Sequence, residues 1–350
     1  MIKLSVCIAT YNRGAFIAET LDSIIPQLTD EVEILIVDGA SPDNTEEVVR
    51  DFVKRHPQVR YFREAVNSGA DGDYDKAVGY ARGEYCWLFP DDDLLAPDAM
   101  SKVLGTIAED PDLILVDATV KDEKLKATLQ ERRLGFSGTR RYSGEEADRV
   151  MADGGNVMTY IGSVIIRRNV WMARDRRSYY GSLFIHVGVV FQQPPIGRVV
   201  IIGEPLILIR YGNAMWSPRA FEIWALKWPE LIWGFQGFSD KAKASVARRY
   251  PWRHLGHLLT SRAKGGYGYP EYRRLFAGRR IGWWRLVMLA IALIPGKLVH
   301  LANTIYLCAK RQFGGTTGYE LFRCSPHINR PSRWLASKCR TGHRLVASDQ

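Results

Sequence analysis

The first 120 residues alternate between continuous apolar runs and stretches whose apolar positions recur every three or four residues. "LSVCIA" (Leu4–Ala9), "VEILIVD" (Val32–Asp38), "VRYFRE", "YCWLF" and "DLILVDA" predict strands. Between them "GAFIAETLDSII" (Gly14–Ile25), "TEEVVRDFVKRH", "DYDKAVGYARG" and "PDAMSKVLGTIAED" have helical spacing. Asp43 or Asn44 stands ready to cap the second of these helices and Gly83 to close the third. Apolar strands separated by amphipathic helices predict an α/β fold with a mostly parallel, Rossmann-like sheet covered on both faces.

After Thr119 the pattern loosens. "KDEKLKATLQERRLGFSGTRRYSG" reads as loop or edge strand, and "IGSVIIRR" (Ile161–Arg168) as a further strand. "GSLFIHVGVVFQQ" (Gly181–Gln193) has helical character, and "GRVVIIGEPLILIRY" predicts a strand pair broken near Pro205. Beyond residue 211 the chain is rich in tryptophan (Trp216, Trp224, Trp228, Trp233, Trp252), for which core packing is the default role and sugar or membrane contact the alternative. In "WWRLVMLAIALIPGKLVHLANTIYLCAKR" (Trp283–Arg311) the uninterrupted apolar core, Leu286 to Ile294, is about half of what a bilayer crossing needs. Trp283, Trp284 and Arg285 at one end and Lys310 and Arg311 at the other make 281–311 an expected in-plane membrane contact, with a packed internal hairpin or a true span as alternatives.

Charge sharpens this division. The net charge is +10, yet residues 240–350 carry 21 Lys/Arg against 4 Asp/Glu while residues 1–239 carry 27 against 34. A basic back behind an acidic front points to a polyanionic partner, membrane lipid or nucleic acid. Nucleic acid is disfavoured, because the aromatics there sit in apolar runs rather than interleaved with Lys and Arg. Five scattered cysteines without a CxxC pair argue against a disulfide framework or zinc ribbon and suit a reducing cytosol.

The candidate chemistry begins with "CWLFPDDDLL" (Cys86–Leu95), an apolar run that ends in Asp91, Asp92 and Asp93. Adjacent carboxylates repel one another unless solvent or a cation compensates. In open parallel sheets ligands bind beyond the carboxyl ends of the strands, where Thr10-Tyr11-Asn12-Arg13, Asp38, the segment Asn67–Asp75 and the acidic triplet would converge. No loop is GxGxxG or GxxxxGK[ST], which disfavours a dinucleotide fold or a P-loop. Hard oxygen ligands at a strand end suit Mg2+ or Mn2+ bridging to a diphosphate.

"SVCIATYNR", "EILIVDGASPDNTEEVV" and "NSGADGDYDKAVGYARGEYCWLFPDDDLL" together resemble glycosyltransferase family 2, strongly over residues 3–120 and loosely over 120–210. The wording "GEYCWLFPDDD" is most similar to the branch that builds bacterial O-antigen and related surface polysaccharides, abequosyltransferase-like enzymes among them. The resemblance implies the GT-A nucleotide-diphospho-sugar transferase fold, with a glycosyltransferase domain over 1–210 and a basic helical extension over 211–350. Residues 1–119 would bind the nucleotide and 120–210 the acceptor. Thr10, Tyr11, Asn12 and Arg13 would line the nucleoside pocket, and Asp38 would bond the base. Asp71, Asp73 or Asp75 would face the nucleotide. Asp91 would lie near ribose, sugar and metal, Asp93 would ligate the metal, and Asp92 beside them is a catalytic candidate.

Family members invert configuration, which requires a base for the acceptor hydroxyl. Relatives often place an acidic pair past the DxD, but "YYGSLFIHVGVVFQQ" offers only His186, the expected base. Glu145, Glu146 and Asp148 are the alternative base on what is otherwise an exposed helix face, and Arg167 and Arg168 are candidates for the diphosphate. The expected partners are a nucleotide-sugar donor, a polyprenyl-diphosphate-linked glycan acceptor and the anionic inner face of the cell membrane. A sugar nucleotidyltransferase and an inactive membrane-bound scaffold are the competing functions.

Overall fold

The computed structural model describes residues 1–215, 217–310 and 315–339. Trp216 and Arg311, both weighed above, lie outside the described residues. The chain divides into two compact units: Met1–Val120 with Glu131–Arg210 and Phe235–Val246, and Lys121–Gln130 with Tyr211–Gly234 and the residues from Ala247 on.

The strands are β1 (Leu4–Thr10), β2 (Val32–Asp38), β3 (Val59–Arg63), β4 (Tyr85–Phe89), β5 (Leu94–Leu95), β6 (Leu113–Lys121), β7 (Thr128–Gln130), β8 (Thr139–Tyr142), β9 (Val164–Arg167) and β10 (Val199–Arg210). In the first unit they run in the order β3-β2-β1-β4-β9-β6-β10-β5, with β8 also on β10. β1 to β4 pair in parallel, as expected. The second half is not parallel: β9 runs antiparallel to both β4 and β6, and β10 runs antiparallel to β5 and β8. The sheet is therefore mixed, with β9 inserted antiparallel between β4 and β6.

The helices of this unit are α1 (Ile17–Ile24), α2 (Thr45–Arg55), α3 (Gly69–Tyr80), α4 (Ala99–Ile107), α5 (Ala147–Gly154), α6 (Arg168–Ala173) and α7 (Ile185–Phe191). Of the two proposed caps of α2, Asp43 makes the bond, accepting from the backbone N–H of Thr45 at 3.1 Å. Gly83 is not the cap of α3, which ends three residues earlier. A Cβ at Gly83 would lie 2.6 Å from the Ser5 backbone nitrogen, so the residue serves close approach to β1. Its N–H donates to Ser5 Oγ (2.8 Å), which donates to the buried Glu33 carboxylate (2.7 Å). Pro205 does not break β10: it falls between the ladder to β8 at Val199–Ile202 and the ladder to β5 at Ile207–Leu208, so its missing N–H costs no bond on that edge.

The second unit holds α8 (Ala220–Glu222), α9 (Trp228–Gly234), α11 (Leu255–Lys264), α12 (Tyr269–Phe276), α13 (Trp284–Leu293), α14 (Gly296–Ala309), α15 (Gly315–Tyr319) and α16 (Arg330–Cys339); α10 (Asp240–Val246) belongs to the first. Its core gathers Phe221, Leu226, Trp252, Leu258, Tyr267, Phe276 and Met288. Trp228 and Trp252 are buried, whereas Trp283 is exposed. Cys308 and Cys339 form a disulfide between α14 and α16, a pairing that their separation of 31 residues concealed in the sequence. Among the described residues no single helix is long and apolar enough to cross a membrane; α13 and α14 form a pair bent by 98° at Ile294-Pro295.

Candidate active site

The site is built on the carboxyl edge of the parallel strands. Thr10, the last residue of β1, pairs with Asp38, the last of β2, and Ile8 pairs with Phe89 at the end of β4. All three strands therefore release their loops on one side. The Gly39 N–H donates to the Thr10 carbonyl at 3.0 Å, locking the first two loops together. Asn12 adopts φ +57 with its N–H on Ser41 Oγ (2.9 Å), and Arg13 donates its own N–H to Thr45 Oγ1 (3.0 Å). Tyr11 is half-buried in this turn. Asp38 is fully buried; its oxygens accept from the Ser41 N–H (2.7 Å) and the Tyr61 hydroxyl (2.6 Å), so it shapes the turn from within.

At the end of β4 the acidic triplet divides. Asp91 and Asp92 face Arg13, whose guanidinium lies 3.5 Å from a carboxylate oxygen of each. The Asp91 side chain is only 12% exposed. Burial first and the neighbouring Asp92 second push its carboxyl up to about 7, against the pull of Arg13. Asp93 is 2% exposed and points inward, accepting from the Tyr160 hydroxyl (2.7 Å) and the Arg210 N–H (2.6 Å). Burial and then Asp92 raise its pKa as well. The Arg210 side chain donates to the Asp92 carbonyl (2.9 Å) and pairs with Glu19. The guanidiniums of Arg13 and Arg210 both lie over the Phe16 ring, at 5.6 and 5.4 Å. Tyr74 of α3 ties down the strand itself, its hydroxyl on the Phe89 carbonyl at 3.1 Å.

The three aspartates of α3 have different partners, since steps of two residues turn a helix by about 200°. Asp73 is buried against β2: a Cβ at Gly39 would stand 2.7 Å from its carboxylate, and Ser68 Oγ donates to it. Desolvation raises the Asp73 pKa, and Asp38 contributes to the rise. Asp71 accepts from the backbone N–H groups of Leu183 (2.8 Å) and Ile185 (3.0 Å). Asp75 accepts from Trp171 Nε1 (2.8 Å) and the Tyr180 hydroxyl (2.6 Å) and pairs with Arg176 (2.8 Å). Only Asp73 of the three borders the end of β2; Asp71 and Asp75 hold the segment before α7.

His186 requires a correction. It is 1% exposed in α7, with Nε2 on the Met158 carbonyl at 2.7 Å and Nδ1 without a partner in the interior. Burial lowers its pKa to about 4. A walled-in, weakly basic imidazole is a packing group rather than the base of an accessible hydroxyl. Arg167 and Arg168 are likewise engaged away from the acidic triplet. Arg167 pairs with Tyr85 at the opposite end of β4, about 15 Å of strand from the triplet, and is taken up by Glu84 and Asp110. Arg168 donates to the carbonyls of Val78 and Gly79. Glu145 is exposed, Glu146 closes a capping box with Ser143, and Asp148 accepts from the Ser239 N–H, all ordinary for the start of a surface helix.

Among the described residues no group of three or more His, Cys, Asp or Glu side chains is arranged to hold a metal ion. The triplet nevertheless fits a cation that arrives with a diphosphate. Mg2+ and Mn2+ are commonly held by one or two carboxylates with phosphate oxygens completing the shell. Burial first and Asp92 second raise the Asp91 carboxyl, and a cation beside it would favour its charged form. Tyr160 and Arg210, missed by sequence reasoning, complete the arrangement. The one available signal was an arginine closing the long apolar run of β10.

Comparison with known proteins agrees with this fold. The family model described as Glycosyl transferase family 2 matches residues 5–173. Abequosyltransferase RfbV of Salmonella typhimurium is 31% identical over 229 residues, 60% of this chain and 67% of the relative. The chain spans between 33% and 44% of the next four curated relatives it matches. Among solved structures, S. aureus TarS 1-349 in complex with UDP-GlcNAc superposes with a TM-score of 0.56 at 16% identity, covering 97% of this chain and 92% of that one. The mannosyltransferase PcManGT of Pyrobaculum calidifontis, in complex with GDP-Man and Mn2+, gives 0.52 at 15% identity, covering 98% and 88%. At those identities the structures speak for the GT-A-like fold.

Proposed function

The chain belongs to glycosyl transferase family 2 and is a glycosyltransferase, and from that premise we propose that it transfers a sugar, with inversion, from a nucleoside-diphosphate donor to a lipid-carried glycan of surface polysaccharide. One observation carries the donor half. The ends of β1, β2 and β4 meet on one edge, where Arg13 faces the carboxylates of Asp91 and Asp92. Thr10 to Arg13 and Asp38 with Asp73 frame the nucleoside, and Arg13 turns from the carboxylates to the diphosphate as the donor enters. Asp91 and Asp92, which face Arg13, would hold Mg2+ or Mn2+ together with Asp93. When bound, the cation stabilises negative charge on the departing diphosphate. The Mn2+ and GDP-mannose named for PcManGT support this choice.

The second unit supports the acceptor half. Leu286, Leu293, Leu298, Ile305 and Tyr306 of α13 and α14 are exposed, Leu286 at 71%. Arg279, Arg280, Arg285, Lys297 and Lys310 are exposed beside them in sequence. Exposed apolar positions with cations next to them in sequence match an anionic bilayer surface, with the helices lying in its plane. A protein held on such a surface meets acceptors carried on a polyprenyl diphosphate.

The test is a binding panel of UDP-, GDP-, CDP- and dTDP-sugars with and without Mn2+, followed by thermal shift. One nucleotide series should stabilise the wild type only with the cation, and Asp91→Asn should lose that stabilisation. Binding that is indifferent to Asp91→Asn would sink the proposed donor site.

A further inference from the structure

We infer that Tyr180 is the platform on which the acceptor's sugar ring stacks, an assignment that rests on the glycosyl-transfer function proposed above. Tyr179 and Tyr180 are adjacent, yet they part company. The half-buried Tyr179 ring packs on α7: a Cβ at Gly188 would lie 2.2 Å from it, and the Phe235 ring is 6.4 Å away, centroid to centroid. Tyr180 turns outward and is 46% exposed.

An exposed aromatic is ordinarily free to change rotamer, but this one is fixed. Its hydroxyl donates to Asp75 Oδ2 at 2.6 Å, and Asp75 Oδ1 is itself held by Trp171 and Arg176, each at 2.8 Å. The rotamer entropy that a binding partner would otherwise have to remove is already lost in folding. The ring edge lies over α3, about 4.0 Å from where a Cβ at Gly72 would stand. The next residue along the helix, Asp73, borders Gly39 and the end of β2. A flat apolar face is thus presented beside the helix whose other side closes the donor edge.

The turn that follows is strained and deliberately held. Leu183 has φ +73, a left-handed conformation that costs a non-glycine residue roughly 1 kcal/mol. Asp71 holds it by accepting the N–H groups of Leu183 and Ile185, while Ser182 Oγ accepts from Phe184. Strain of this kind persists where the surroundings over-determine it, commonly at binding sites. The Ser182 hydroxyl, which accepts from the Phe184 N–H, keeps its own proton to donate. A rigid aromatic face with a serine hydroxyl two residues further along the chain matches a pyranose, which offers an apolar C–H face and a polar rim.

The experiment titrates the full-length protein with octyl glycosides of glucose, galactose, mannose, rhamnose and N-acetylglucosamine, read by saturation-transfer NMR, beside the nucleotide-sugar panel. Tyr180→Ala should weaken at least one glycoside roughly 10-fold, as loss of an aromatic contact implies, with nucleotide-sugar binding unchanged. Tyr180→Phe, which keeps the ring, should stay within about 3-fold of wild type. The assignment is overturned if the glycosides bind Tyr180→Ala as well as wild type, if none binds either protein, or if the nucleotide sugars are what is lost. Should the wild type bind glycosides but no nucleotide sugar, the donor site fails while the platform stands.

Discussion

The carboxyl edge of the first unit and the bent helix pair of the second break the usual distribution of residues in opposite directions. At the edge, charge goes inside: Asp93, Asp38, Asp71 and Asp73 are all buried at strand ends or on α3, and each has named donors. On α13 and α14, apolar surface goes outside, with cations next to it in sequence. Both departures cost folding free energy, the first through desolvation and the second through exposed apolar area. The difference teaches that a fold can tolerate cost in two ways, and on the function proposed above each cost would be relieved by a ligand: a charged one at the edge, lipid at the helix pair.

The comparison breaks first at Asp91. Asp91→Asn should lower Mn2+-dependent nucleotide-sugar affinity by about 10²-fold, measured by titration calorimetry, because an accessible cation ligand is removed. The same protein should sediment with vesicles as the wild type does. Leu286→Glu should do the reverse. Burying one leucine is worth about 2 kcal/mol, so partition onto phosphatidylglycerol vesicles should fall roughly 30-fold. Donor binding should hold; if Leu286→Glu still cosediments fully, the helix pair does not meet lipid.

Tyr160→Phe sharpens the account of the buried charges. It deletes the hydroxyl that donates to Asp93 at 2.7 Å and should cost about 1–3 kcal/mol in urea denaturation. An unchanged midpoint would mean that Asp93 finds its partner elsewhere. The smallest effect on turnover belongs to His186→Gln, expected within about 3-fold of wild type because a buried imidazole of low pKa contributes little as a base. Its signature is in stability. The folded pKa of about 4 lies below the ordinary 6.5, so between those values the unfolded chain binds more protons than the folded one. Wild-type stability contributed by neutral His186 is therefore complete above pH 6.5 and lost as pH falls towards 4. His186→Gln should flatten that slope. A large loss of turnover with folding intact would restore His186 as the base.

Much of the first unit was legible in advance for a local reason. β2 and β4 were delimited residue for residue, since parallel strands buried on both faces read as unbroken apolar runs. The acidic triplet was legible too, because three charges after such a run are anomalous without any knowledge of the fold. The antiparallel return of β9 and β10 was not, since strand direction depends on partners far away in sequence. Nor were Gly83 and His186, whose neighbours are Ser5 and Met158.

What the sequence by itself determined is the order of elements, the strand ends that carry charge, and the division into an acidic front and a basic back. These follow from periodicity and composition, which are properties of neighbours along the chain. What only the tertiary structure decided is the task of each charged side chain. Asp71, Asp73 and Asp75 are three alike residues on one helix, and they were told apart by Leu183, Gly39 and Tyr180. A carboxylate's work is set by which donors and charges the fold brings within a few ångströms, and no spacing along the chain encodes that.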